Sequence, residues 1–159
     1  INRLDYHRGL RAQFRIPPRR IVYNASGMHL MAAIVDEHRA VIEHSLYWAG
    51  LTSMDEGHFL CAILNSAAVT RQVQPLMAYG KDERHVDKYI WRLPIPMFDP
   101  EDRAHARLAV LGKEATEAIA ALELDESKHF AAMRRAIRAW LEKSPLGQAI
   151  EAQVEKLLG

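Results

Sequence analysis

The chain has a single cysteine in 159 residues, no long apolar run and almost no surplus of either charge. Each scarcity excludes something. Cys61 alone can form neither an intrachain disulfide framework nor a cysteine-only metal site, which suits a reducing cytoplasm. Its place in the run FLCAIL predicts a buried core thiol, free cysteine being among the most buried residue types. No stretch approaches the roughly 18 apolar residues that a membrane span needs, and the N-terminus shows no signal-like apolar segment, so a soluble protein with no membrane partner is expected. With 21 Lys and Arg against 20 Asp and Glu, the net charge is +1. A polybasic coat for DNA or an anionic membrane needs a large excess of Lys and Arg, so any nucleic-acid site must be local. What is present is a chain that is 49% apolar, long enough to form one compact domain that buries about two-thirds of its unfolded surface. It starts at Ile1 with Arg3, Arg8 and Arg11 close behind, which reads as excision from something longer.

The order of patterns along the chain predicts an α+β fold. Residues 4–14 (LDYHRGLRAQF) resemble a short helix weakened by Gly9, and Pro17-Pro18 enforces an extended exit. RIVYN, MHLMAAIVD and AVIEHSLYWAG are strand-like and separated by turn signals, which predicts a three-stranded antiparallel meander. At TSMDEGHFLCAIL the period changes to that of a helix, with Thr52 or Ser53 and Glu56 as a capping box. Asn65-Ser66 interrupts it, and a second helix-like run ends near Tyr79-Gly80. In YIWRLPIP, Pro94 and Pro96 cannot donate to a ladder, so that segment is an edge strand or an extended strap. Beyond Pro100 three apolar stripes have helical spacing: Leu108, Leu111, Ala115, Ile119 and Leu122; then Phe130, Met133, Ile137 and Leu141; then Leu146, Ile150, Val154 and Leu157. The expected architecture is a small antiparallel sheet braced by helices over residues 1–124, followed by a C-terminal helical hairpin over 125–159, packed on the body or on a partner.

No autonomous active site is legible. Eight histidines (His7, His29, His38, His44, His58, His85, His105 and His129) show neither HxxxH nor HExxH spacing, so no metal site is expected. Asp55, Glu56 and His58 could be drawn as an acid/base group, but they fall in the first turn of a helix, where acids complement the helix dipole. There is no GxSxG, Walker loop or GxGxxG. Recognition is the remaining theme. Arg15, Arg19 and Arg20 flank the first strand. Lys81, Arg84, His85 and Lys88 follow the second helix, with Arg71 nearby and Tyr79 and Tyr89 interleaved. Arg and Lys supply phosphate contacts, and Arg can also read base edges.

Taken in order from Arg20 to about Ile119, RIVYNASGMHLMAAIV, LYWAG, EGHFLCAILNS and GKDERHVDKYIWRLPIP resemble the C-terminal target-recognition domain of adenine-N6 DNA methyltransferases. These are the specificity regions of type IIG restriction-modification enzymes and related defence systems. The chain is similar, more distantly, to the specificity subunits of type I restriction systems. The resemblance covers about two-thirds of the chain and rests on order and spacing rather than on any one motif. It implies a domain that selects a sequence in double-stranded DNA, with Arg15, Arg19, Arg20, Lys81 and Lys88 on phosphates and Arg71, Arg84 and His85 reaching bases. The family's [ND]PP[YF] motif and Gly-containing cofactor loop do not occur here. Chemistry on the extruded adenine, and S-adenosylmethionine, would therefore belong to a methyltransferase catalytic domain in the same or another chain. A second reading is a protein-interaction module, with a homodimer formed through the C-terminal helices.

Overall fold

The computed structural model describes residues 16–79, 84–86, 88–124, 127 and 129–159; the helix expected over 4–14 lies outside the described residues. The architecture is α+β. A sheet of β1 (Arg20–Asn24), β2 (Ala32–Val35) and β3 (Leu46–Gly50) leads into α1 (Met54–Leu64) and α2 (Ala67–Val73). A two-residue ladder follows, β4 (Ala78–Tyr79) against β5 (Arg84–His85), then α3 (Arg103–Ala120), α4 (Phe130–Lys143) and α5 (Pro145–Leu158). No helix among the described residues is long and apolar enough to cross a membrane.

The sheet is not the expected meander. Its order is β2-β1-β3, with β1 antiparallel to both neighbours: Ile21 lies opposite Ile34 and Ala49, and Tyr23 opposite Ala32 and Tyr47. Residues 36–45, partly read as strand in the sequence, instead cross from one edge of the sheet to the other. The reason is burial. All five residues of RIVYN are buried, whereas β2 and β3 are only partly covered, and a strand covered on both faces belongs in the middle. By the twofold alternation of a strand, Ile21 and Tyr23 face one side and Arg20, Val22 and Asn24 the other. The first pair joins the core with Phe59, Ile63 and Leu64 of α1.

The helix layer begins where the capping pattern predicted. Ser53 is the N-cap of α1, its Oγ accepting from the Glu56 N–H at 3.0 Å. The Glu56 carboxylate reaches back to the Thr52 N–H at 2.6 Å and the Thr52 hydroxyl at 2.7 Å. Asn65 ends the helix and does more than interrupt it. Its Oδ1 accepts from the Ala32 N–H at 3.0 Å, while its Nδ2 donates to the Ala32 carbonyl and to the Cys61 carbonyl, both at 2.9 Å. A side-chain amide thus pairs with β2 on its outer edge as another strand would, satisfying backbone groups that an open edge leaves bare. Ser66 restarts the chain as the N-cap of α2, accepting from Val69 N–H at 3.2 Å.

The segment 93–99 is a strap rather than an edge strand. Phe98 lies 5.3 Å from the Phe59 ring, and the Asp99 N–H donates to Nδ1 of buried His105 at 3.1 Å. Asp102 then caps α3, accepting from the N–H groups of Ala104 and His105, and these bonds hold its carboxyl below the ordinary range. The α3 helix crosses α1 at Gly112, where a β-carbon would stand 2.1 Å from the His58 carbonyl oxygen. Of the C-terminal stripes, Ile150 and Val154 of α5 are buried in the main core, so α5 packs on the body; α4 has no buried residue. Ser144 alone joins the two helices, capping α5 through the Gly147 N–H at 3.0 Å.

Two substitutions test this frame. Asn65→Ala removes three hydrogen bonds and strands both polar groups of Ala32, with an expected loss of about 1–3 kcal/mol in denaturant unfolding. Asn65→Asp is expected to lose at least as much at neutral pH, because its carboxylate would face two carbonyls. Gly112→Ala is expected to destabilise by about 1–3 kcal/mol through overpacking, despite the roughly 1 kcal/mol that alanine gains in helix propensity.

Candidate nucleic-acid interface

The basic residues named from the sequence do not form one patch. Arg19 and Arg20 stand at the start of β1. The β4–β5 ladder lies at its other end, where the Val86 N–H donates to the Ala25 carbonyl at 2.9 Å. At about 3.3 Å per strand residue, roughly 17 Å separates the two. Arg71 sits in the last turn of α2, beside α5. Arg15 and Lys81 lie outside the described residues, as do the side chains of Arg84, His85 and Lys88.

Arg20 is enclosed by the fold. Its side chain is 0% exposed, on the face of β1 turned away from α1. Nη2 donates to the Glu37 carbonyl at 2.7 Å, and the guanidinium lies 5.9 Å from the Trp48 ring. Among the described residues, Nε and Nη1 have no hydrogen-bond partner. A guanidinium enclosed in this way cannot reach a phosphate; it ties β1 to the crossover and to β3. Arg19, its neighbour, points the other way along the alternation and is 42% exposed, with Nε 3.5 Å from Asp36 Oδ1. Such a surface ion pair is worth about 0–1 kcal/mol, and the Arg19 Nε atom itself is buried without a hydrogen-bond partner among the described residues.

Arg71 is engaged. Its Nη2 bonds Glu151 Oε1 at 2.9 Å and Glu155 Oε1 at 2.7 Å, and Glu151 Oε2 also accepts from the Ala67 N–H at 2.8 Å. The Glu151 carboxylate therefore sits at the positive N-terminal end of α2 and holds that helix to α5. Arg71 is a helix-to-helix tie here and would have to give up two carboxylates to read a base.

The ladder region is firmly seated. Val86 and Ile90 are both 0% exposed, and Met77 just before it is buried. A turn made by Asn24 supports the same end: its Nδ2 donates to the Ser26 and His29 carbonyls, and its Oδ1 accepts from the Met31 N–H. Trp91 stands exposed beside this end, its ring edge-on to Tyr23 with centroids 5.8 Å apart. The sequence reading passed over Trp91. The signal was present in Ile90-Trp91-Arg92, where a large aromatic follows a core residue amid basic neighbours.

No acid/base site assembles from Asp55, Glu56 and His58. Glu56 is engaged at the helix cap and Asp55 is exposed. His58 is buried against α3 with Nδ1 unpartnered. Among the described residues no three His, Cys, Asp or Glu side chains gather where a metal could bind. Burial pushes the Cys61 thiol up to about 12, so it is inert as a nucleophile. A cavity of about 500 Å³ opens between the helices, with Cys61, Ala62, Ala115 and Ile150 among its lining and Arg138 and Glu142 contributed by α4.

Burial lowers the pKa of His58, the largest effect, with Asp55 opposing and Lys113 adding to it; burial and then Arg138 lower that of His29. Both rings bind a proton more readily in the unfolded chain, at the ordinary value of 6.5. Stability is therefore expected to fall as pH drops through 6.5 and to level off below the folded values. Urea titrations across that window check the slope, which His58→Gln should reduce.

No protein-family model matches this chain, and no curated protein matches it.

Proposed function

We propose that this chain is a DNA target-recognition domain, the specificity region of an adenine-N6 DNA methyltransferase or restriction-modification enzyme of the cytoplasm. It acts beside a catalytic domain, in the same or another chain, that binds S-adenosylmethionine and methylates the extruded adenine. The order of elements that carries the resemblance supports this reading: a strand pair, the helix ending in Leu64-Asn65-Ser66, a polar segment, a proline strap and a long helix.

The observation that carries it is the seating of Val86 and Ile90 beside the β4–β5 ladder. Val86 and Ile90 are both fully buried, and the Val86 N–H is bonded to the Ala25 carbonyl at the end of the central strand. Recognition of a base sequence demands such preorganisation, because a side chain on a loose loop loses its hydrogen-bond geometry. The roughly 17 Å from this segment to Arg19 along β1 suits an extended ligand, about five base-pair steps at 3.4 Å each. The revised contact set is Arg15, Arg19, Lys81 and Lys88 on phosphates, with Arg84 and His85 toward bases. Arg20 leaves that set, and Arg71 serves structure.

The second reading, an interaction module acting through the C-terminal helices, now points to α4. The Ile150 and Val154 stripe is core, whereas Phe130 of α4 is 54% exposed and no residue of that helix is buried. Sedimentation decides it: a dimer lost on Phe130→Glu, in a chain that binds no DNA at low salt, would replace the first reading.

The direct test is duplex binding as a function of salt. Weak, salt-sensitive binding is expected, each neutralised phosphate contributing a slope of about −0.9 in log affinity against log salt. Lys81→Glu with Arg84→Glu should weaken binding and flatten that slope, while Arg71→Ala should lower stability by up to about 1 kcal/mol and leave the slope unchanged. Binding unaltered by the double reversal would remove the segment from the interface.

A further inference from the structure

Several exposed apolar side chains are tied to one end of β1. Leu46 lies opposite Asn24 in the ladder, and Met28 sits in the turn that the Asn24 amide closes. Leu76 follows Gln74, whose side chain donates to the Met28 carbonyl at 3.3 Å. Trp91 meets Tyr23 at the same end and is 48% exposed. Of these, Trp91 alone is braced by a row of rings. Tyr23, 1% exposed, lies between it and Tyr47, whose centroid is 5.3 Å from that of Tyr23. Ile90, immediately before it, is 0% exposed and fixes the backbone.

A half-exposed indole held in this way loses little conformational entropy on binding, which is the property of an aromatic anchor. The charges around it select the partner. Trp91 stands between Lys88 and Arg92 in the sequence, whereas the core of a protein–protein interface is depleted of Lys. Aromatic rings interleaved with basic residues suit a polyanion whose monomers carry flat faces. Every base has such a face, and stacking on it tolerates any sequence.

We infer that the exposed face of Trp91 stacks on an unstacked nucleobase of the bound DNA, supplying affinity rather than sequence choice. This rests on the target-recognition reading, in which the catalytic partner extrudes an adenine and leaves neighbouring bases unstacked. Trp91 neutralises no phosphate, so its contribution is separable from that of the basic residues by salt dependence.

The experiment is anisotropy of labelled DNA, as a duplex and as the corresponding single strand, titrated with the full chain at several salt concentrations. Trp91→Leu retains an apolar cover over Tyr23 but has no aromatic face. It is expected to weaken binding roughly 5- to 100-fold, more on the single strand than on the duplex, with the salt slope unchanged. Trp91→Phe should retain most of the affinity. Tryptophan emission gives a second measurement that does not depend on how well the leucine variant folds. DNA should quench the wild-type chain and shield it from acrylamide, and that change should vanish in Trp91→Phe, where Trp48 and Trp140 remain. If the wild type binds DNA while Trp91→Leu binds equally well, or the DNA-induced emission change survives in Trp91→Phe, the stacking contact is overturned and the target-recognition reading stands. A wild-type chain that binds neither DNA form at low salt overturns both.

Discussion

One side-chain amide holds the end of the first helix against the edge of the sheet. Asn65 closes α1 on the Cys61 carbonyl and pairs both backbone groups of Ala32 at the outer edge of β2. In the next residue it hands the chain to Ser66, which starts α2. Remove that amide and β2 has an open edge at Ala32, while α1 keeps its end only through backbone bonds and Ser66. The pairing also explains why a polar residue stands where an apolar helix could have continued. Leucine or alanine would extend the run FLCAIL but could neither donate to nor accept from a strand.

The layers built on that hinge leave little latitude. Gly112 lets α3 approach α1 until a β-carbon would overlap the His58 carbonyl oxygen, and His58 and His105 are both enclosed in this helix layer. The strap from Leu93 to Phe98 is laid against this core by apolar side chains and one backbone-to-imidazole bond. On the other side of the sheet Arg20 occupies a fully enclosed position with one hydrogen bond and a ring for company. A buried cation without a carboxylate partner is costly. It is tolerable here because the Trp48 face and the Glu37 carbonyl both present negative potential to the guanidinium.

The candidate interface inherits its properties from this scaffold. With a net charge of +1, any attraction to DNA would have to come from where the cations sit, and folding redistributes them. Arg20 is withdrawn into the sheet and Arg71 is committed to Glu151 and Glu155, while Arg19 remains at the surface. Beyond the β4–β5 ladder, Val86 and Ile90 enter the core while Trp91 between them and the strap stays half-exposed.

Local chemistry was legible in the sequence wherever a residue acts on its immediate neighbours. Ser53 with Glu56, the helical stripes of α3 and α5, the strap imposed by Pro94 and Pro96, and the buried thiol of Cys61 all follow from spacing, capping and propensity within a few residues. Side chains that act at long range were not legible. Asn65 finds Ala32 across 33 positions and Arg71 finds Glu151 across 80. Nothing in RIVYN announces that it will be the middle strand and carry Arg20 inward. Periodicity assigns a residue to a face but does not say what covers that face, and a short turn does not decide whether its strands pair with each other. By itself the sequence determined the class of fold, the start of α1 and the absence of a recognisable catalytic motif, because these depend on neighbours along the chain, whereas the second helix, expected to run to Tyr79-Gly80, ends at Val73 and gives way to β4. Strand order, the burial of Arg20, the neutralisation of Arg71 and the exposure of Trp91 were decided only by tertiary packing, because each depends on which distant surface arrives to cover or pair with the group.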